Sequence, residues 1–271
     1  MSDFIQISFT DLQPEQKDIL VAQLADAGFE GFEEADDKLE AFISRSAYNR
    51  SLLEEITFKY QLSFKEASIE NINWNQVWES NFQPVIVGHF VAIRADFHPP
   101  INKVEHEIII TPKMSFGTGH HATTYMMIEQ MKELDFKGKK VFDFGTGTGI
   151  LAILAEKLGA SNVFAIDNDD WSIENAKENI ERNNCHKINI IRASDTSAEE
   201  KFEIILANIN KHVILQNLTA LKKQLTENGI LLISGILEED KAEILTATTQ
   251  QKLHLTNELV KAKWLCLKFH S

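Results

Sequence analysis

The hydrophobic rhythm of the chain changes along its length, and the change marks out its parts. From Phe4 to Phe9 apolar residues alternate, with Ile5, Ile7 and Phe9 on one face, which predicts a half-buried strand. Residues 14–28 follow as a helix, with Pro14 in its first turn and Gly28 just past its end. Residues 29–34 and 39–44 read as two short strands, 46–60 as a second helix and 63–69 as a last strand. The order βαββαβ predicts a small ferredoxin-like α+β unit over residues 1–72.

Residues 73–100 keep neither period. Trp74, Trp78, Phe82, Phe90 and Phe97 are scattered among polar residues up to Pro99-Pro100, so this stretch reads as an aromatic-rich connector that docks on the next domain. Trp74 and Trp78, at i, i+4 spacing, suit hydrophobic anchoring first and a cage for a methylated ammonium second. From about Ile108 strand, Gly-rich turn, helix and strand repeat, which predicts a parallel sheet covered on both faces over residues 101–271. Strands are placed at 141–144, 162–167, 188–192, 202–208 and 230–236. The closing segments 253–260 and 264–269 are only a few residues apart and predict an antiparallel pair at one edge.

Composition narrows the class. A chain of 271 residues with 44% hydrophobic content can bury the core of one large α/β domain and a smaller one. It has no run of about 18 apolar residues, and Met1-Ser2-Asp3-Phe4 lacks the basic start of a signal peptide, so a cytoplasmic location and no membrane partner are expected. Cys185 and Cys266 form no CxxC or Cys/His cluster, which predicts reduced thiols and no metal, with Cys266 packed in a strand.

The net charge of −13 argues against direct nucleic-acid binding. Residues 1–72 carry 15 acidic and 6 basic side chains, so −9 of that charge lies in the first unit. This asymmetry predicts a basic partner. Glu33, Glu34, Asp36 and Asp37 read either as part of that contact or as a solvated loop.

The chemistry concentrates at Val141-Phe142-Asp143-Phe144-Gly145-Thr146-Gly147-Thr148-Gly149, where a strand turns into a helix. Glycines let the backbone turn sharply and approach a ligand. A phosphate loop would need Gly-Lys-Ser/Thr, but Ile150-Leu151 follow Gly149. The dinucleotide pattern G-x-G-x-x-G fails as well, because Ile150 occupies its third glycine position.

Asp143, two residues before Gly145, would repel a pyrophosphate and suits a cationic ligand such as S-adenosylmethionine, directly or through water. The alternative reading is a strand-end acid that caps the next helix. Asp167, 22 residues after Gly145, can accept hydrogen bonds from ribose hydroxyls, a feature shared with nicotinamide enzymes. Asp195 suits the adenine edge or an ordinary turn equally.

Two further stretches narrow the reading: Thr111-Pro-Lys-Met-Ser-Phe-Gly-Thr-Gly-His-His-Ala-Thr-Thr124 and Phe202-Glu-Ile-Ile-Leu-Ala-Asn-Ile-Asn210. Together with the glycine turn they resemble the ribosomal protein L11 methyltransferase family (PrmA type), across essentially the whole chain. The resemblance implies a class I methyltransferase (Rossmann-like) seven-stranded sheet with an antiparallel edge, preceded by a substrate-recognition domain. It implies S-adenosylmethionine as cofactor, touched by Thr124, Gly145, Asp167 and Asn208, with Asn208 also bordering the target amine. Asp143, Gly147 and Phe116 complete the candidate site.

The implied reaction moves methyl groups to lysine side chains and/or the N-terminal amine of the basic protein L11, free or in the ribosome, by a monomeric enzyme. Departures from the family pattern are Thr111-Pro112-Lys113 and the Ala122 of His121-Ala122-Thr123-Thr124. Asn208-Ile209-Asn210 also lacks the prolines and tyrosine of Asn-Pro-Pro-Tyr methyltransferases, which disfavours glutamine or adenine as substrate. His120 and His121 read as packing or hydrogen-bonding groups rather than as a base for lysine. Competing functions are methylation of another protein or a small molecule, a non-catalytic ribosome-assembly binder, and a nicotinamide oxidoreductase.

Overall fold

The structure is a computed structural model of the chain, described over residues 4–10, 12–35, 37–69, 83–111, 119–194 and 200–271. It divides into two compact units, residues 1–81 and 82–271.

In the first unit β1 (Phe4–Phe9), β2 (Gly31–Ala35), β3 (Lys38–Ser44) and β4 (Lys65–Ile69) form an antiparallel sheet in the order β2-β3-β1-β4. Helices α1 (Pro14–Asp26) and α2 (Arg50–Lys59) interrupt them in sequence. Alternation decides which residues go inward. Ile5, Ile7 and Phe9 of β1 and Leu39, Ala41 and Ile43 of β3 share one core with Leu20 and Leu24 of α1 and Leu53 and Ile56 of α2. Helix α2 starts four residues later than its pattern predicts, because Asn49 caps it by accepting the Leu52 amide at 3.3 Å.

The second unit opens with a three-stranded sheet of β5 (Val85–Val87), β6 (Val91–Ala95) and β7 (His106–Ile110), ordered β5-β6-β7. Residues 83–100 therefore carry two strands where the scattered aromatics suggest only a connector. All five residues of β6 are buried, and burial on both faces erases the alternation that would reveal a strand. Trp74, Trp78 and Phe82 lie outside the described residues.

The main sheet has the order β10-β9-β8-β11-β12-β14-β13. Its strands are β8 (Lys140–Phe144), β9 (Asn162–Asp167), β10 (Ile188–Arg192), β11 (Phe202–Asn208), β12 (Leu225–Leu237), β13 (His254–Lys261) and β14 (Trp264–His270). The first five are parallel, and the β13–β14 hairpin adds antiparallel through β14. Strand β12 begins five residues before its predicted start, with Asn228 at a φ of 60° ahead of the regular pairing.

Among the described residues of this unit five α-helices follow in order: α3 (Ala122–Lys132), α4 (Ile150–Lys157), α5 (Asp170–Arg182), α6 (Lys211–Gln224) and α7 (Lys241–Gln250). Met127, Leu154 and Ile180, from α3, α4 and α5, share one core with Val141 and Leu206. Ile214 and Ile244, from α6 and α7, share the other core with Phe142 and Ile205. Neighbours in β8 and in β11 thus face opposite cores, the signature of a doubly covered sheet. Strand order runs one way from β8 to β10 and the other way from β11 onward, so the β8/β11 boundary is a topological switch point where open α/β sheets bind ligands. Among the described residues no helix is long and apolar enough to cross a membrane.

Candidate functional site

At that boundary β8 ends at Phe144, α4 begins at Ile150, and the three glycines between them have φ values of 77°, 54° and 82°. A residue with a Cβ in this left-handed region is strained by roughly 1–2 kcal/mol. Space is equally limiting: a Cβ on Gly145 would lie 2.2 Å from Ile209 Cγ2, and one on Gly149 would lie 3.3 Å from Ala176 Cβ. The turn is pinned from below, since the Gly145 and Thr146 amides donate to the Ile166 carbonyl at 3.0 and 2.9 Å.

Asp167 closes β9 beside this turn. Its Oδ2 accepts the Gly147 amide at 2.9 Å and its Oδ1 accepts the Asp169 amide at 3.1 Å. Each oxygen retains lone-pair capacity for a further donor. Asn208, at the end of β11, donates through Nδ2 to Thr124 Oγ1 at 3.2 Å, joining the strand end to the first turn of α3.

Thr124, Gly145, Gly147, Asp167 and Asn208 line one cavity of about 400 Å3. That volume falls within the roughly 300–1,000 Å3 usual for small-molecule sites. Asp167 is the only acid among its described lining residues, and none of them is Lys or Arg.

Asp143 is placed differently from the other candidates. It is 0% exposed and does not border the cavity; its Oδ2 accepts the Thr146 hydroxyl at 2.6 Å, while Oδ1 has no hydrogen-bond partner among the described residues. Burial pushes its carboxyl up to about 7, against the opposing pull of the Thr146 hydroxyl. Its direct contact is therefore with the turn, through Thr146. Phe116 and Asp195 lie outside the described residues.

The two histidines are held by ordinary hydrogen bonds. His120 Nε2 is 2.8 Å from the Gln83 carbonyl. His121 is the N-cap of α3, with Nδ1 2.8 Å from Thr123 Oγ1, and its ring meets Trp264 edge-on at 4.8 Å.

Several cavity residues escape a reading of the sequence, two of them from late in the chain. Trp264, the first residue of β14, lines the cavity from a strand whose alternation marks it only as packing. Gly235 also lines it, at a φ of 86° where the β12–β14 register shifts, and a Cβ there would lie 2.2 Å from the Ile209 carbonyl oxygen. A glycine inside a strand is the available signal for such a bulge.

Fold and cavity together define the class: an α/β chain with the seven-stranded sheet and antiparallel edge of the class I methyltransferases. Residues 6–271 match the family described as ribosomal protein L11 methyltransferase (PrmA), and the chain belongs to that family. The ribosomal protein L11 methyltransferase of Porphyromonas gingivalis is 40% identical over 261 residues, covering 93% of this chain and 90% of the relative. That of Phocaeicola vulgatus is 34% identical over 278 residues, covering 98% of each. The crystal structure of a ribosomal protein L11 methylase from Lactobacillus delbrueckii subsp. bulgaricus aligns with a TM-score of 0.65 at 29% identity, covering 69% of this chain and 98% of that one.

Proposed function

We propose that this chain transfers methyl groups from S-adenosylmethionine to amines of ribosomal protein L11, the lysine side chains and/or the N-terminal amine. The observation that carries the reading is the convergence of Thr124, Gly145, Gly147, Asp167 and Asn208 on one cavity without a basic side chain among its described lining. A phosphate-bearing nucleotide would want a cation there, whereas S-adenosylmethionine has no phosphate. The bare backbone at Gly145 and Gly147 and the spare lone pairs of Asp167 fit an adenosine with its two ribose hydroxyls. When bound, this cofactor supplies an electrophilic sulfonium methyl group.

In this reading Asp167 holds the ribose and the glycine turn packs against the cofactor. Asp143 stiffens that turn through Thr146, and Phe116 stays in the assignment by family resemblance. Asn208, fixed by Thr124, borders the acceptor amine. No metal and no covalent enzyme intermediate are assigned, so positioning dominates.

The acceptor nitrogen must arrive neutral. At pH 7 that costs about 4–5 kcal/mol for a lysine of pKa about 10.4 and about 1 kcal/mol for an α-amino group near 7.8, which makes an amino terminus the easier target. The surroundings of Asn208 suit this requirement, because Thr124, Ile209 and Trp264 carry no charge that would favour an ammonium.

A division of labour completes the proposal. Residues 1–72, with their βαββαβ order and antiparallel sheet, are assigned as a ferredoxin-like recognition domain whose acids meet the basic substrate. Residues 73–100 lead from it into the second unit, where β5 and β6 already share a sheet with β7, and 101–271 hold the cofactor. The enzyme is placed in the cytoplasm with its ribosomal-protein substrate, as a monomer without direct nucleic-acid contacts.

Incubation with labelled S-adenosylmethionine and a mixture of unmethylated ribosomal proteins, followed by mass analysis, tests the assignment. Label on L11 amines is expected. Label confined to another component would redirect the substrate, and cofactor binding without any label would make the chain a binder.

A further inference from the structure

Helix α5 carries Asn175 and Asn179, and Asn183 caps its C-terminus four residues further on; all three are buried. Asparagine is a poor residue for a helix interior, so a buried column of three needs hydrogen-bond partners to persist. The partners lie largely along β7 and the residue beyond it. Asn183 accepts the Ile109 amide at 3.0 Å and donates to the Ile109 carbonyl at 2.6 Å. Asn179 Oδ1 accepts the Thr111 amide at 2.7 Å, and Asn175 donates to the Thr111 carbonyl at 3.2 Å. Strand β7 pairs with β6 on its other side, so the asparagines act as the missing strand partner along its free edge.

Part of this column's bonding has nothing to do with that edge. Asn179 Nδ2 donates to the Thr148 carbonyl at 2.8 Å and also to Asn175 Oδ1 at 2.9 Å. Thr148 stands between Gly147 and Gly149 in the turn and lines the cavity. A single buried carboxamide therefore ties the glycine turn to Thr111, which heads the 111–124 stretch that ends at Thr124. A turn built from three glycines at positive φ has little side-chain bulk to fix it. The hydrogen bond at the Thr148 carbonyl adds a restraint from the side of α5.

We propose that Asn179 is a positioning residue for the methyl donor: by holding the Thr148 carbonyl against α5 it sets the geometry of the glycine turn and hence cofactor affinity. The inference rests on the assignment of this cavity to S-adenosylmethionine. Asn183 provides the internal control, because it binds the same strand edge from the same helix face but makes no hydrogen bond to the turn.

The test compares Asn179→Asp and Asn183→Asp by titration with S-adenosylmethionine and by thermal melting of the full chain. Asp at 179 keeps the acceptor for Thr111 and loses the donor to Thr148. Both variants should melt lower, by similar amounts. Only Asn179→Asp should weaken cofactor binding, by about tenfold or more, with the KM for the protein substrate unchanged within about twofold.

Cofactor affinity of Asn179→Asp within twofold of wild type, or an equal loss in Asn183→Asp, would overturn the proposal. If Asn179→Asp does not fold, Asn179→Ser is judged by the same criteria. Failure of the wild-type chain to bind S-adenosylmethionine would remove the cofactor assignment itself, an outcome distinct from wild-type binding with an unaffected variant.

Discussion

The four-stranded sheet of the first unit and the seven-stranded sheet of the second bury their residues by different rules. In β1 burial alternates, so Ile5, Ile7 and Phe9 are covered while Gln6 and Ser8 stay half exposed. In β8 every residue from Val141 to Phe144 is buried, and β11 repeats this from Ile204 to Ala207. One sheet has a single core and keeps a partly polar face; the other has a core on each side and no free face. Chemistry in the second unit is therefore pushed to the strand ends, where Asp167 and Asn208 emerge into the cavity. Large partners suit a face; small ligands suit a strand end.

The strongest challenge to the strand-end part of this contrast is Gly235→Ala. The new Cβ would lie 2.2 Å from the Ile209 oxygen and 2.7 Å from its carbonyl carbon, at a φ of 86°. Left-handed strain of about 1–2 kcal/mol and overpacking of about 1–3 kcal/mol predict destabilisation of about 3 kcal/mol. Displacing Ile209 also moves its neighbour Asn208, and a misplacement near 1 Å can cost about a hundredfold in rate. We expect kcat to fall by about that factor while binding of the protein substrate persists. Near-normal kcat would show that the bulge does not set the site.

A smaller effect tests the burial rule itself. The folded Asp143 carboxyl titrates at about 7 because it is buried, against a usual value near 4. Between those values the folded chain holds a proton that the unfolded chain has released. Stability from this group is therefore complete below about pH 4 and is lost as pH rises through 7. Asp143→Asn removes the titration, so its melting temperature relative to wild type should climb between pH 5 and pH 8. A difference that stays flat with pH would contradict the burial of an ionisable carboxyl here.

Asp167→Ala should come next in size. It removes the acceptor of the Gly147 and Asp169 amides and, in the proposed function, the ribose contact. Hydrogen bonds to a charged group are each worth about 1.5–3 kcal/mol, so cofactor affinity should drop about thirtyfold by titration. A change below threefold would take Asp167 out of the site.

The same contrast explains what could be read in advance. Strands β9, β10 and β11 were legible to the residue because short apolar runs there end in Asp167, Arg192 and Asn208, next to clear turns. Strand β6 was not, since five buried residues in a row have no period to detect. At the site, glycine spacing and a strand-end acid pointed to Gly145, Gly147 and Asp167. Thr124 and Asn208 came from family resemblance, and the placement of Asp143 behind the turn, rather than at its surface, depends on how Thr146 folds over it. Trp264 and Gly235 reach the cavity through a hairpin and a bulge late in the chain, contacts that only tertiary pairing creates.

The mildest test addresses the other side of the contrast, the open sheet of the first unit. Glu33 is exposed in β2 and stands directly across from Glu40 of β3 in the antiparallel register. Like charges opposite one another destabilise a sheet by roughly 0.2–1 kcal/mol, so Glu33→Lys should raise stability slightly by replacing repulsion with attraction. If these acids serve a basic protein partner, the same change should raise the KM for L11, by about fivefold at low ionic strength. That loss should shrink at about 0.5 M salt as screening sets in. Cofactor affinity should not move. A gain in melting temperature with an unchanged KM would mean that Glu33 is part of a solvated edge, and that recognition uses other residues of the unit.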